Sequence, residues 1–523
     1  MKRLSTFLCI LGLLLTPTAI FAEQFRIAEV FYNIDGMTKQ YAVELAIEIS
    51  TKRIFHSQEE FDSYIDDLRQ RFTNERVFES SSISVEEIGE EDGITLMSLL
   101  VETKDSRHFI GVPYFKYDSN DGATFKIKMK DVNFLGTMET LNFDLNYKYE
   151  EQDDGSYDNI FGVNFSYDYP FKLWKLASSW NNLLSLDFTL GESEPEFDIS
   201  TGFTFTMPFD RYSLVLDLSQ SITQDFDYEK YDDKLYFTEA AKFSIPIIAA
   251  EIDNWGDVIW TPYIAYEYKW DKNGINKKNE DLRGPTLSVG HSIATKRVDW
   301  IENFRQGLSL EFGQSVTYNY YTEKYTPKVW AEWTGFKAYK YAGINARLYG
   351  FAQFNGDTSI GSRLRGIKDK QDYSNLTDKD GDDVSAVDVP VALVGNLDLP
   401  IHIITTDWNG WTEAIFGEDS TIASKLHWMR VFDFELQLAL FADFALTKNK
   451  ETERLFSIKD GFYSGGVEAI IFPARWRSLE IRASLGIDAG RKIIKKVVPS
   501  LIDDEWRSQV SAWEAYIGIG LHY

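Results

Sequence analysis

The chain has 523 residues, and 54 Lys and Arg stand against 81 Asp and Glu, so the formal net charge is −27 at neutral pH. This balance argues against a nucleic-acid-binding protein, which needs a basic face for the phosphates. The only Cys, Cys9, excludes a disulfide framework and a cysteine metal site, and no two of the six His have the spacing of a helical metal site. We expect no metal and no cofactor.

The first 22 residues have the pattern of a secretory signal peptide. Lys2 and Arg3 form a basic start, Phe7 to Leu15 an apolar stretch, and Ala22 ends the segment. A lipoprotein signal ending at Cys9 is the alternative, but too few apolar residues precede that Cys. Because no later run of 18 apolar residues exists, the exported chain is either soluble or crosses a membrane as a closed barrel.

Residues 23–106 are predicted to form a small α+β domain. Strand-like segments are Phe25 to Tyr32, Ile83 to Ile88 and Ile94 to Glu102. Thr38 to Ile49 has helical spacing, and Ser57 with Glu60 forms a capping box that starts a second helix. The resulting order β-α-α-β-β resembles a POTRA domain, although pattern alone also fits other small α+β modules.

Residues 107–523 switch to short segments of period two, separated by acidic or Gly-containing loops. In the last segment, alternate residues are apolar: Trp513, Ala515, Ile517, Ile519, Leu521 and Tyr523. One face suits lipid and the other a wet lumen, which predicts an all-β transmembrane outer-membrane β-barrel. A soluble sandwich would also alternate, but aromatic residues cluster at the segment ends, as an interfacial girdle requires.

Connection lengths give the strand count and the orientation. Short turns alternate with long acidic loops, and the tally is 18 strands, 13 before the long loop Gly356 to Asp388 and 5 after it. An even number returns the chain to the side where it began, so we expect the N-terminal domain in the periplasm and the barrel in the cell outer membrane. The long connection Thr405 to Arg430 contains Trp408, Trp411 and Trp428 and is expected to lie along the interface.

Five motifs follow one another along the chain: Asp131 with Asn133 to Thr137, Asp168 to Phe171, the loop segment Leu364, Arg365, Gly366 and Ile367, Asn396 to Pro400, and Leu440 to Ala445. In their residues and their order, these motifs resemble the BamA and TamA-type superfamily of outer-membrane assembly and translocation proteins. The resemblance implies a barrel of 16 strands, fewer than the tally. Ile367 replaces the family's usual aromatic residue, and Ala445 replaces a Gly, so packing at the loop tip is expected to differ.

The resemblance also implies a loop folded into the lumen and anchored by Arg365. A permanent charge in a partly desolvated space needs a fixed anion. By alternation Asp443 faces the lumen and is the predicted partner, and Glu468 is a second candidate. The alternative, from the pattern alone, is that Arg365 is an ordinary solvated loop residue.

The function implied by the resemblance is assembly of outer-membrane proteins. Pro113 lies in the first predicted strand and cannot donate to a ladder, so the seam with the last strand, at Ile517, Ile519, Leu521 and Tyr523, is expected to be weak. A client strand could then pair with the opened edge by β-augmentation. Pro113 as an ordinary edge-strand residue is the alternative.

Expected partners are outer-membrane lipid, unfolded outer-membrane or exported polypeptides, and periplasmic chaperones or accessory lipoproteins. A polypeptide-translocation pore of the two-partner-secretion type and a porin-like channel are the rival functions. A barrel hydrolase would need a Ser-His-acid set facing one side, and His291 and His402 have no evident nucleophile partner, so the chain is not expected to be an enzyme. The acidic run Asp378, Asp380, Asp382, Asp383 and Asp388 resembles a calcium loop but lacks the Gly and Glu of an EF-hand, and is interpreted as solvated.

Overall fold

The computed structural model describes most of the chain from Glu23 onwards. The described residues are 23–118, 122–151, 157–174, 176–226, 234–252, 255–271, 274, 284–367, 371–378, 381–417, 420–508 and 512–520. The predicted signal peptide, Asp380, Leu521 and Tyr523 lie outside these residues.

The N-terminal domain is a four-stranded sheet with two helices. Its elements are β1 (Gln24–Asp35), α1 (Gln40–Ala46), β2 (Ile54–Phe55), α2 (Gln58–Asn74), β3 (Phe78–Glu91) and β4 (Ile94–Asp105). The sheet order is β2-β1-β4-β3, with β1 and β4 parallel. The sequence-based order missed β2, because a two-residue strand carries no periodicity of its own.

Local sequence explains where α2 begins and which face it buries. The Ser57 hydroxyl accepts a hydrogen bond from the Glu60 backbone N–H at 3.1 Å, which confirms the predicted cap. Glu60 in turn accepts from the His56 N–H at 2.8 Å. The apolar stripe Phe61, Ile65, Leu68 and Phe72 is buried against the sheet. The first helix is shorter than predicted and ends at Ala46.

The remaining strands close into an antiparallel barrel. They are β5 (Phe109–Asp118), β6 (Gly122–Asp131), β7 (Leu141–Glu151), β8 (Tyr157–Leu173), β9 (Leu176–Thr189), β10 (Glu196–Pro208), β11 (Ser213–Gln224), β12 (Leu235–Ser244), β13 (Ile247–Ile252), β14 (Gly256–Trp270), β15 (Thr286–Ile301), β16 (Phe304–Asn319), β17 (Lys324–Ala338), β18 (Gly343–Gln353), β23 (Val391–Thr405), β24 (Phe434–Thr447), β25 (Phe462–Pro473), β26 (Ile481–Asp488) and β27 (Trp513–Ile519).

Short elements occupy the connections. They are β19 (Thr358–Ser359), β20 (Asp372–Thr377), β21 (Asp383–Ser385), β22 (Asp388–Val389), α3 (Trp408–Phe416), α4 (Thr421–Leu426), a π-helical turn Gly490–Ile494 that continues into α5 (Lys495–Val497), and 3₁₀ turns at Phe134–Gly136, Gly361–Arg363, His427–Phe432, Ile458–Asp460 and Pro499–Leu501.

The barrel has 18 strand positions, because β12 and β13 are two halves of one strand. Both pair with β14, and the break between them contains Pro246, which has no N–H to donate. Thirteen positions precede the loop between β18 and β23, and five follow it. The count of 18 is confirmed, and the 16 strands implied by the resemblance are wrong for this chain.

The outer face of the barrel is apolar along successive strands. On neighbouring strands, Phe203 faces Leu218 and Leu310 faces Trp333, and all four side chains are exposed. Such a continuous band would be an aggregation hazard in water and suits the hydrocarbon core of a bilayer. The protein is therefore a transmembrane β-barrel. Among the described residues, no helix combines the length and the apolar character needed to cross a membrane.

The N-terminal domain docks against the turns at one end of the barrel. The Arg76 side chain is buried there and donates to the Arg477 carbonyl and, at 2.9 Å, to Asn303 Oδ1. Its guanidinium lies 4.2 Å from the ring centroid of Trp300. On another side of the domain, the backbone N–H of Lys39 donates to the carbonyl of Gly136, in the turn after β6, at 2.8 Å. The domain thus contacts turns on widely separated strands of the barrel.

Candidate functional site at the lumenal loop and the barrel seam

The connection between β18 and β23 packs inside the barrel. Leu364 and Ile367 are buried, and they join a core cluster with Tyr373, Phe462 and Trp506. The cluster combines this loop, the strand β25 and the segment before β27. Burial of two apolar side chains of the short segment 364–367 fixes the loop against the wall.

Arg365 is held by two buried carboxylates. Its Nε donates to Asp443 Oδ2 at 2.9 Å, its Nη2 donates to Asp443 Oδ1 at 2.6 Å, and its backbone N–H donates to Asp443 Oδ2 at 3.1 Å. The same Nη2 donates to Asp398 Oδ1 at 2.7 Å. Arg365 is 6% exposed and Asp443 is 3% exposed, so this pair is desolvated as well as bidentate. The structure thus brings together the predicted Arg365 and Asp443.

Strand register explains why these groups converge. Asn396 on β23 lies opposite Asp443 on β24, and its Nδ2 donates to Asp443 Oδ1 at 2.9 Å and to the Arg363 carbonyl at 2.8 Å. Asp398 is two residues further along β23 and shares the lumen face. Sequence reasoning placed Asp398 within a motif but assigned it no partner. The alternation along β23 is the signal that could have placed it in the lumen.

The ion pairs of Arg365 are with Asp398 and Asp443, while Glu468 lies close enough for the Arg365 charge to act on it. Glu468 lies on β25 four residues beyond Ser464, which faces Asp443 in the register. Its Oε2 lies 3.5 Å from Arg482 Nη1 on the next strand, and Glu468 is 3% exposed. The role expected of Glu468 belongs to Asp398 in the structure.

Gly366 brings the loop tip against the backbone of β26. Its φ of +73° favours glycine, and a Cβ at this position would lie 2.5 Å from the Ile487 nitrogen. Gly486 on β26 provides the matching space. The Gly366 N–H donates to Glu514 Oε2 on β27 at 3.1 Å. The loop therefore reaches from β24 to the last strand.

The seam between β27 and β5 is the weak join of the barrel. In the described part of the two strands, register pairs join only Phe115–Asp118 to Glu514–Ile517. The hairpin β15–β16, in contrast, is paired from Thr286–Asn319 to Ile301–Phe304. Pro113 pairs with Ile127 on β6, and Ile519 pairs with Ile481 on β26, so both lie beyond the short stretch of paired seam.

Aromatic side chains supplement the short ladder on both faces. Tyr114 and Tyr516 meet edge to face in the lumen with ring centroids 5.2 Å apart, and Tyr117 and Trp513 lie 4.8 Å apart on the lipid side. Behind the first pair is a lumenal cavity of about 220 Å³, bounded by the loop residues Leu364, Arg365 and Ile367 and by Glu514. The loop and the seam thus form one site.

Other predicted features have a structural role here or lie outside the described residues. Asn133, in the motif after β6, is buried and its Nδ2 donates to Thr38 Oγ1 at 2.7 Å, so this turn docks the N-terminal domain. In the acidic loop, Asp378 Oδ1 accepts from the Asp382 N–H at 2.9 Å and closes a turn. Within the described ranges, no group of three His, Cys, Asp or Glu side chains is arranged to hold a metal ion.

Comparison with known proteins yields similarities of fold. No family model matches the chain, and no curated protein matches it in sequence. Among solved structures, it is similar to CdiB from Acinetobacter baumannii, with 9% identity, a TM-score of 0.45, and coverage of 94% of this chain and 73% of that one. It is also similar to BamA from Haemophilus ducreyi lacking POTRA domains 1–3, with 11% identity, a TM-score of 0.36, and coverage of 95% of this chain and 85% of that one. For CdiB from Escherichia coli, the identity is 7% and the TM-score 0.40, with coverage of 97% of this chain and 92% of that one.

Proposed function

We propose that this chain is an outer-membrane assembly factor of the BamA and TamA type that inserts client barrels through its own seam. The observation that carries the proposal is the juxtaposition of a four-pair seam and a loop anchored by a buried Arg. In an insertion factor, the short ladder would be the place that opens, and the anchored loop beside it would hold the closed state.

Opening the seam would expose the edges of β5 and β27. Each edge offers unpaired backbone N–H and C=O groups, and an extended client strand satisfies them whatever its side chains are. Because only a short ladder must separate, opening costs fewer backbone hydrogen bonds here than at β15–β16. The free energy comes from folding of the client in the membrane, so no nucleotide is needed and the proposed activity is not enzymatic.

In this proposal, the lumenal loop stabilises the closed state of the seam. Glu514 on β27 accepts the Gly366 N–H, and Arg365 fixes the loop to β23 and β24. Movement of β27 therefore breaks a contact to the loop while the rest of the wall stays in place. The N-terminal domain, as a single POTRA-like unit on the periplasmic side, would present a sheet edge to the same client in this proposal. Client polypeptides, chaperones or accessory lipoproteins would approach from there.

A disulfide across the seam tests the proposal. In a Cys9→Ser background, Tyr117→Cys with Ala515→Cys joins residues that face each other in the register. The chain is reconstituted in phospholipid vesicles, and folding of an unfolded eight-stranded outer-membrane barrel is followed by its heat-modifiable mobility. We expect the reduced protein to accelerate folding over empty vesicles, and the oxidised protein to lose that acceleration.

The matched control is the pair Ser288→Cys and Thr317→Cys, which face each other on β15 and β16 with hydroxyls 2.7 Å apart. Its disulfide should leave the acceleration unchanged. Equal acceleration with the seam locked or reduced would contradict lateral insertion. If neither form accelerates folding but an exported polypeptide crosses the vesicle membrane, the chain is a translocation pore, and a flux of small solutes alone would favour a porin-like channel.

A further inference from the structure

The connection between β23 and β24 includes two helices, α3 and α4, at the end of the barrel that carries the N-terminal domain. The Asp433 carbonyl accepts the N–H of Ala474, in the turn after β25 whose Arg477 contacts the domain at the Phe78 carbonyl. We call the described residues of this segment, 406–417 and 420–433, the helical connection.

The helical connection has its own local order. The Asp407 carboxylate accepts the Gly410 N–H at 2.9 Å and begins α3, and the Ser420 hydroxyl accepts the Ile422 N–H at 3.2 Å and begins α4. The two ends of the connection are joined, because the hydroxyl of Thr406, just after β23, accepts the N–H of Phe434, the first residue of β24, at 2.8 Å. With both ends attached and both helices capped, it is a defined structure on the barrel rim.

Its apolar pattern is the reverse of a water-soluble helical hairpin. Small side chains, Thr412 and Ala423, are the buried ones. Six large apolar side chains are exposed: Trp411, Ile415 (73%), Phe416, Ile422 (52%), Trp428 (60%) and Phe432 (57%). So many exposed large apolar side chains in one short segment indicate a contact with another apolar phase.

The lipid-facing surface of the barrel runs directly into this connection. On β23, Leu399, Ile401 and Ile403 are exposed towards the end of the strand, and Leu438 is exposed on β24. Along the chain, the exposed apolar side chains of the helical connection follow directly after those of β23 and precede those of β24. Trp side chains with an apolar body and a polar N–H favour this level of a bilayer.

Charge does not explain attachment to a membrane. In the sequence from 406 to 433 there are five acidic residues, Asp407, Glu413, Glu418, Asp419 and Asp433, and two basic residues, Lys425 and Arg430. Anionic headgroups would therefore repel it, and the contact must come from apolar burial. We propose that the helical connection is an interfacial anchor that lies in the headgroup region of the leaflet on its side, in contact with zwitterionic phospholipid.

Fluorescent labels at single cysteines test the anchor in the full chain. In a Cys9→Ser background, Ile415→Cys and Ile422→Cys place the label on the exposed apolar side, and Ser424→Cys places it on the opposite side of α4 as the matched control. The protein is reconstituted in phosphatidylcholine vesicles containing lipid with a quencher near the headgroup, and iodide serves as the aqueous quencher.

We expect quenching by the lipid to be at least roughly threefold stronger for the labels at residues 415 and 422 than for the label at residue 424. Quenching by iodide should show the reverse order. The difference should persist at high salt, because apolar burial is not screened. Heat-modifiable mobility of each variant verifies folding, and Phe432→Cys replaces any variant that fails.

Equal quenching of all three labels by iodide would overturn the anchor. Shielding of residues 415 and 422 that occurs in native outer membranes but not in pure lipid vesicles would also overturn it, because a protein would then cover the surface. Client folding is not measured in this experiment, so its result is independent of the proposed assembly function.

Discussion

The seam β27–β5 and the hairpin β15–β16 are built from the same kind of strand but differ in how they are joined. The two strands of the hairpin are linked by a two-residue turn and sixteen register pairs, whereas the seam joins the first and last strands of the barrel by four pairs in the described residues. Aromatic contacts across the seam and the hydrogen bond from the lumenal loop to β27 add to the few backbone pairs there. A barrel can thus be closed around its whole circumference and still have one join with far fewer backbone pairs than this hairpin.

Removal of the Arg365 side chain should give the largest effect. Arg365→Ala leaves Asp443 and Asp398 buried without their cation, and we expect a loss of about 3–5 kcal/mol in unfolding free energy. Urea titration in detergent micelles, read by heat-modifiable mobility, measures it. Lys450→Ala removes an ion pair with Asp357 at a more exposed site and should cost at most about 1 kcal/mol. Equal losses would contradict a buried anchor.

A methyl group at Gly366 should separate the loop from the seam. Gly366→Ala forces its Cβ into the β26 backbone, so we expect a loss of about 1–3 kcal/mol and easier labelling of a cysteine placed at Tyr516. Gly381 in the same connection also has a positive φ, +88°, but a Cβ added there would meet no atom within 4 Å. Gly381→Ala therefore controls for backbone strain alone, and it should leave the labelling of the seam unchanged.

Aromatic contacts should matter more at the seam than elsewhere. Tyr516→Ala removes the ring that meets Tyr114, and we expect a loss of about 0.5–1.5 kcal/mol together with more frequent seam opening, measured by labelling of a cysteine at Lys116. Tyr325→Ala removes a ring 4.5 Å from Tyr318 on the long β16–β17 ladder. There the backbone pairs persist, so opening of that join should not be detected. Opening at both positions would contradict the contrast.

The smallest expected effect concerns the docked domain, which contacts turns near both joins. Burial, and secondarily the Glu139 carboxylate, raise the pKa of Glu75. The folded state then holds this proton more tightly than the unfolded state, so stability falls as the pH rises from about 4.3 through the raised pKa. Glu75→Gln should flatten this dependence in urea titrations at successive pH values.

Glu90→Gln, at an exposed position of the same domain, controls for the change in net charge. A pH profile that is identical in the wild type and in Glu75→Gln would show that the Glu75 carboxyl does not contribute. In that case docking of the domain depends on the contacts of Arg76 with Asn303 and Trp300 at the β15–β16 turn.

Local sequence pattern determined much of this protein. Alternation of apolar residues set the strands and which face of each strand meets lipid, and the count of 18 followed from it. The Ser57 cap and the stripe of α2 were likewise readable, because both depend on residues within one or two turns of a helix. The lumenal position of Asp443 also came from its place in the alternation.

Tertiary structure alone decided which residues meet. Asp398 rather than Glu468 joins Arg365, because the register between strands, which a strand's own sequence does not specify, sets the height of each side chain along the lumen. The contact of Gly366 with Glu514, the shortness of the seam and the exposed apolar side of residues 406–433 likewise depend on how distant segments pack. The alternation of residues along a strand determines whether a side chain faces lipid or the lumen. Its neighbours on other strands are determined only when the barrel closes.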